Sequence, residues 1–300
     1  MSGKILLMVF AVGCSAPASA HPGIPALDGG MAAITRSGNM GFKSIPGTLD
    51  ISQFESRSLL SRPLEPSEDL EIIPAFGFKS TSLHFDQVPT SIFFDKHSLR
   101  TFDVYPFSLD CGLLTWSGPN SSPWIYGVWT GARLATDFRT VDREDFSFQF
   151  AAGAGYRIHE KCALGIGSGV TDSDGAIALH PGIGLDWSVT ERLIIRVWGT
   201  DWRASYQADD HWRFSVGGES SHEFWNISDQ GGKPLSINLK TYRIGLFTSR
   251  HLTGDLWLRA GAGITLGNAF KLFGSNDELL VDQKLDGGFF AQVGLTINAW

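Results

Sequence analysis

Several stretches of the chain alternate apolar and polar residues for longer than a soluble strand needs, and this period of two constrains the fold more than any other feature. In "DFSFQFAAGAGYRI", Phe146, Phe148, Phe150, Ala152, Ala154, Tyr156 and Ile158 share one face, opposite Ser147, Gln149, Ala151, Gly153, Gly155 and Arg157. In "DLWLRAGAGITLG", Leu256, Leu258, Ala260, Ala262, Ile264 and Leu266 oppose Trp257, Arg259, Gly261, Gly263 and Thr265. "DGGFFAQVGLTINAW" sets Phe289, Ala291, Val293, Leu295 and Ile297 against Gly288, Gln292, Gly294 and Thr296. A usual soluble strand holds roughly 5–6 residues. Strands this long with one greasy face suit a transmembrane antiparallel barrel, which puts apolar side chains out to lipid and polar ones into the lumen. The phase predicts that Phe148, Phe150, Leu258 and Ile264 face lipid and that Gln149, Arg157, Arg259 and Thr265 face a lumen tolerant of polar exchange.

The connections follow suit. Short polar turns at "RIHEKCAL", "SVTERLII", "YQADDHWRF" and "TSRHLTGDLW" fall on one side, and longer connections at 81–100 and 269–286 on the other. Short periplasmic turns, long outer loops and an even strand number are the habit of bacterial single-chain barrels. The chain threads as an all-β, up-and-down barrel of about twelve strands over residues 70–300. Around "WGTD", within 192–207, two strands are shorter than the roughly 9–11 residues that span a membrane, so a bend would change the count.

Upstream, residues 1–20 run from Lys4 through an apolar stretch to Ala18-Ser19-Ala20, the pattern of a secretory signal peptide. Cys14 in "AVGC" offers a lipidation site instead, although Ala11 stands where such signals carry Leu. Residues 21–69 are punctuated by Pro22, Pro25, Pro46, Pro63 and Pro66 and read as a loosely ordered periplasmic lead-in. The chain holds 24 basic and 31 acidic residues, a formal charge of −7, which disfavours nucleic acid as a partner. Export places it in the outer membrane of a Gram-negative-type bacterium. Its partners there are membrane lipid, the barrel-assembly machinery and, if the lumen is open, small solutes.

Aromatic residues fit two membrane interfaces: Trp116, Trp124, Trp187, Trp212 and Trp300 near the periplasmic ends, Trp198, Trp202 and Trp225 near the outer ends. The terminal strand resembles the C-terminal insertion signal of outer-membrane barrels, with Trp300 one position out of phase with the lipid-facing residues. From "PGIGLDWSVTERLIIRVWGTDWRASYQADDHWRFSVGGE" through "TYRIGLFTSRHLTGDLWLRAGAGITLG" to the end, the chain resembles an uncharacterised family of predicted bacterial outer-membrane barrels, a domain of unknown function. The resemblance covers roughly the last 230 residues. It implies location and fold and carries no catalytic residues.

The lumen-facing phase collects Arg133, Asp137, Arg157, His180, Asp186, Arg196, Arg213, Glu219 and Arg259. Charges of both signs either line an aqueous path or pair and plug it. His180 and Asp186 share a face, but no nearby serine completes a nucleophile, base and orienter, so no catalytic set is assigned. Neither a cofactor nor a metal is expected. A narrow channel or a structural envelope protein leads; a barrel enzyme acting on lipid or peptide and a secreted ligand-binding β-sandwich are the alternatives.

Overall fold

The structure is a computed structural model that describes residues 30–59, 64–67, 70–89, 99–117, 122–139, 141–173, 176–228, 234–274 and 278–297. The expected signal peptide and Trp300 lie outside the described residues. The first strands are β1 (Gly30–Gly41), β2 (Thr48–Leu59), β3 (Leu64–Ser67), β4 (Leu70–Pro89), β5 (Leu99–Val104) and β6 (Phe107–Ser117). Next come β7 (Trp124–Thr136), β8 (Phe146–His159), β9 (Cys162–Ser173), β10 (Ala176–Ser188), β11 (Leu193–Trp198) and β12 (Asp201–Gln207). The last are β13 (Trp212–Ser228), β14 (Pro234–Thr253), β15 (Leu256–Phe273), β16 (Leu279–Lys284) and β17 (Gly288–Ile297).

About 14 of these strands form one antiparallel ring, which closes where β17 pairs back onto β1 from Gly30↔Ile297 to Gly38↔Phe289. Closure gives each ring strand a hydrogen-bonded neighbour on both sides for at least part of its length, so that most of the backbone is satisfied inside the wall, as a sheet that crosses lipid requires. The strands β3, β5 and β16 stand outside the ring, paired on the ends of β4 and β15. The ends Gly30 and Ile297 lie together, with the tight β8–β9, β10–β11, β12–β13 and β14–β15 connections at the same end of the barrel.

The ring is therefore larger than the twelve strands expected, because residues 30–59, read as part of a loose lead-in, form β1 and β2. In β1 the inward positions are the small or polar Ala33, Thr35 and Ser37, so the period of two carries little apolar contrast there. The doubtful "WGTD" is a true hairpin turn. Gly199 adopts φ 59, a left-handed conformation that glycine reaches without strain, and β11 and β12 pair from Leu193↔Tyr206 to Trp198↔Asp201.

The outer surface carries the phase read from the alternation: Phe148 is 64 % exposed, Ile166 70 % and Leu179 68 %, on β8, β9 and β10. Trp124, Tyr126, Tyr156, Trp187, Tyr206 and Trp212 are exposed together toward the end of the barrel where Gly30 and Ile297 lie. At the far end the chain doubles inward. Met40, Leu49, Ile51, Leu83, Phe85, Trp225, Ile237, Phe270 and Leu272 pack there into a dry core among the overhanging ends of β1, β2, β4 and β13–β15.

Candidate functional site: a divided lumen

On one side of the lumen the inward side chains are packed together. On β13, Glu223 accepts hydrogen bonds from Lys79 of β4 and Arg133 of β7, both of which lie on the opposite wall. Ser221 donates to the same carboxylate at 3.0 Å, Asp110 of β6 stands 3.7 Å from Arg133, and Glu55 of β2 stands 3.9 Å from Lys79. Further along, Arg243 of β14 reaches Gln53 of β2 at 2.5 Å and Glu219 at 3.5 Å, while Arg259 lies 4.2 Å from the centre of the Phe247 ring. These groups span the barrel and tie β13 and β14 to β2, β4 and β7. An interior charge that is doubly paired tolerates removal from water, whereas an unpaired one does not.

At this layer β13 has already left its ring neighbour. It pairs with β12 only from Gln207↔Arg213 to Trp202↔Gly218, and its far end makes a parallel bridge, Asn226↔Thr136, to β7. Asp145, in the three-residue 3-10 turn Arg143–Asp145, stands beside the bridge: its buried carboxylate lies against Thr136 and Asn226 and accepts from Asp142 N at 2.9 Å. Burial pushes the Asp145 carboxyl above the ordinary carboxylate range, against hydrogen bonds that pull it down.

The other side of the lumen keeps contact with solvent. Along β8 the inward Gln149, Ala151, Gly153 and Arg157 are all partly accessible, as are Gly165 and Gly167 on β9 and Gly182, Gly184 and Asp186 on β10. Facing them across the barrel, Arg243, Phe247, Trp257, Arg259 and Thr265 are buried. The glycines leave room for tryptophan rings laid flat on the wall. A Cβ at Gly184 would stand 2.9 Å from the Trp198 ring, and one at Gly112 would stand 2.4 Å from Trp129. Toward the Gly30–Ile297 end of the barrel there is a cavity of ≈ 360 Å³ lined by Arg192, Ser205, Gln207, Arg213, His251 and Trp257, among others.

Of the residues expected in the lumen, Arg133 and Glu219 belong to the packed half and Arg259 lies buried against Phe247. Asp186 and Arg196 pair at 3.4 Å in the accessible half, Arg157 reaches Ser122 O at 3.4 Å, and Arg213 lies 4.6 Å from the Trp257 ring centre. His180 sits on the inner phase of β10 and is exposed. Asp137 lies just past β7 and accepts from Arg139 N at 3.0 Å, so it shapes a connection rather than the strand wall.

The aromatic assignments divide. Trp124, Trp187 and Trp212 are exposed on the outside, and Trp202 Nε1 donates to Tyr242 Oη at 2.9 Å. Trp225 is fully buried in the core and Trp198 lies on the inner phase against Gly184, so neither belongs to an interfacial belt. Trp225 falls where β13 swings across to β7, which position along the sequence does not reveal, whereas Trp198 shares the inward phase of Arg196 two residues before it. The side chain of Trp116 lies outside the described residues. Lys79, Glu223, Glu55, Arg57, Arg203 and Arg243 were missed, although Glu223 follows Glu219 and Ser221 in strict alternation and was legible. No group of three His, Cys, Asp or Glu side chains able to hold a metal occurs among the described residues.

The family described as a domain of unknown function (DUF6268) matches residues 118–298, more than half of the chain. The chain belongs to this family. No curated protein matches it in sequence. Among solved structures, an outer-membrane channel from Pseudomonas putida F1 is similar at 10 % identity over 93 % of this chain and 100 % of that one, with a TM-score of 0.44. The NanC porin is similar at 7 % identity, 89 % and 99 % coverage and TM-score 0.36. The outer-membrane phospholipase A of Escherichia coli is similar at 9 % identity, 90 % and 92 % coverage and TM-score 0.36. Likenesses this distant say nothing of what this DUF6268 barrel does.

Proposed function

We propose that this DUF6268 chain is an outer-membrane channel for small solutes, exported on a signal peptide spanning residues 1–20 and inserted by the barrel-assembly machinery. The observation that carries the reading is the divided lumen: the described inward residues of β8, β9 and β10 are open to solvent while the opposite half is packed. A barrel that served only as a structural element has no need to leave one wall bare, and glycines on that wall widen a path that larger side chains would fill. Arg157, Arg203 and Arg213 face inward near Asp186–Arg196, and Glu219 lies within electrostatic reach of Arg243, Arg259, Arg203 and Arg57. With arginines in excess, the path favours anions.

Reconstitution into planar bilayers tests the proposal. Small, ohmic steps with a reversal potential displaced toward the anion are expected under a salt gradient. A folded, inserted barrel that shows no steps at any voltage would sink the channel reading.

A further inference from the structure

The hairpin of β11 (6 residues) and β12 (7 residues) is too short for the wall it belongs to. Strands of that length, rising about 3.3 Å per residue and tilted by about 40°, climb roughly 15–18 Å, against an apolar band of about 25 Å. The hairpin begins beside the exposed Trp187 and Tyr206, so its Gly199–Thr200 tip stops within the band. The strands on either side continue. β10 pairs with β11 only from Ser188 to Gly184, yet it runs on through Ile183, Pro181 and Leu179, paired with β9 alone. β13 likewise runs on past Gly218, paired with β14 and bridging to β7. Among the described residues no backbone ladder crosses the gap between the upper arms of β10 and β13, although His180 and His222 stand within electrostatic reach of each other there.

Two features mark these arms as finished edges rather than a torn wall. Ile183 O accepts from Gly199 N at 2.8 Å, so the odd-numbered residues of β10 aim their backbone groups at the gap. Pro181 is one of them and has no N–H to leave unpaired, which is why proline is confined to edge strands. On the other arm, Ser220 N and Oγ both donate to Asp201 Oδ1, at 2.7 and 3.1 Å, and Thr200 Oγ1 bonds Ser220 Oγ at 2.7 Å. A bare strand edge at membrane depth survives only where protein or a water-filled cavity serves its polar groups. The accessible half of the lumen lies directly behind the gap, and exposed Leu179 and Ile183 flank it on the lipid side.

We propose, building on the channel reading, that the passage opens sideways through this notch into the distal half of the bilayer and that its cargo is a small amphipathic molecule. Next to the notch the wall offers Gly153, Gly182, Gly184 and the exposed face of Trp198, which suit an apolar body. Charge is concentrated below, at Asp186, Arg196 and Arg157, where a polar head is accommodated. A strongly hydrophilic solute gains nothing from a lipid-level exit, because leaving there strips its water.

The test places single cysteines at three neighbouring sites in a chain whose other cysteines are alanine, labels each with a fluorophore, and reconstitutes it in vesicles of acyl-brominated phosphatidylcholine. Heat-modifiable gel mobility checks folding. Leu179→Cys faces lipid, Gln149→Cys faces the lumen behind an intact wall, and His180→Cys faces the lumen at the notch. The label at 180 should be quenched as strongly as the label at 179, and the label at 149 much less. Quenching at 180 no greater than at 149 overturns the notch, even where the barrel conducts; lipid quenching at 180 in a barrel that does not conduct overturns the channel and leaves the notch standing. For the cargo class, alkyl carboxylates of increasing chain length should block small-ion conductance with increasing potency. In Trp198→Ala that dependence should flatten, and a dependence unchanged by the substitution overturns the apolar subsite.

Discussion

Glu223 on β13 accepts from the guanidinium of Arg133 on β7, a strand that lies across the lumen from it, so the pair spans the barrel beside the Asn226↔Thr136 bridge. Lys79 completes the strut from β4. Removing the carboxylate with Glu223→Ala leaves two interior cations facing each other, and breaking a buried pair from one side typically costs about 3–5 kcal/mol. Unfolding in detergent should show a loss of that order. Conductance should rise in the same variant as the walls part and the packed half admits water. Unchanged stability and conductance together would mean that the strut holds nothing.

The two faces of β8 should respond in opposite ways to charge. Phe150 is exposed on the lipid side, and Arg at that depth is expected to cost about 2–4 kcal/mol. Its neighbour Gln149 is inward on the accessible wall, so Gln149→Lys should be near neutral. Equal losses at both positions in a chemical-denaturation series would reverse the assigned phase. Not every inward residue is so tolerant. Thr265 faces the lumen as the alternation predicts, but it is 0 % exposed, its Oγ1 accepting from Gly288 N and Asn268 Nδ2, each at 2.9 Å. Contrary to the expectation of a tolerant lumen, Thr265→Lys should destabilise the barrel severely.

That contrast shows how much of the molecule was legible. Period two assigned Phe150 and Gln149, or Ile264 and Thr265, to the correct faces because a strand gives each side chain only two directions. It carried no sign of which inward residues meet water, since that depends on what stands opposite across the ring. Glu223 and Lys79 are far apart in sequence and come together only because β13 swings inward above the short β11–β12 hairpin. Pro181 was the one local mark of that departure, a residue unsuited to a strand with partners on both sides.

Acid should tighten the bridge between β7 and β13. The Asp145 carboxyl is held above its ordinary range by burial, so the folded state binds its proton more firmly than the unfolded chain does. Its stabilising contribution is complete below the ordinary carboxylate range and is lost as pH rises through the elevated folded value. Hydrogen exchange at the amides of Asn226 and Thr136 should therefore slow as pH falls through that window, after correction for the intrinsic rate. Asp145→Asn keeps an acceptor for Asp142 N and should abolish the dependence. Persistence of the pH effect in that variant would assign it to another group.

Trp198 should set the bore of the accessible half. Its ring rests on Gly184 and reaches Gly153, where Cβ atoms would stand 2.9 and 3.6 Å away, so the wall has been cleared of side chains to admit it. Trp198→Ala should raise single-channel conductance, because the ring occupies space that no neighbouring side chain can fill. Gly184→Val should act in the other direction: the added methyl groups push the ring off the wall and into the path, lowering conductance at little cost to the barrel, since the ring is 52 % exposed and free to swing inward. The double variant decides between bore and general distortion. If Trp198 is the constriction, Gly184→Val has no ring left to displace in a Trp198→Ala background, and conductance should stay near the Trp198→Ala level. A further fall of the same size as in the single variant would show that valine narrows the passage by itself and that Trp198 does not gate it.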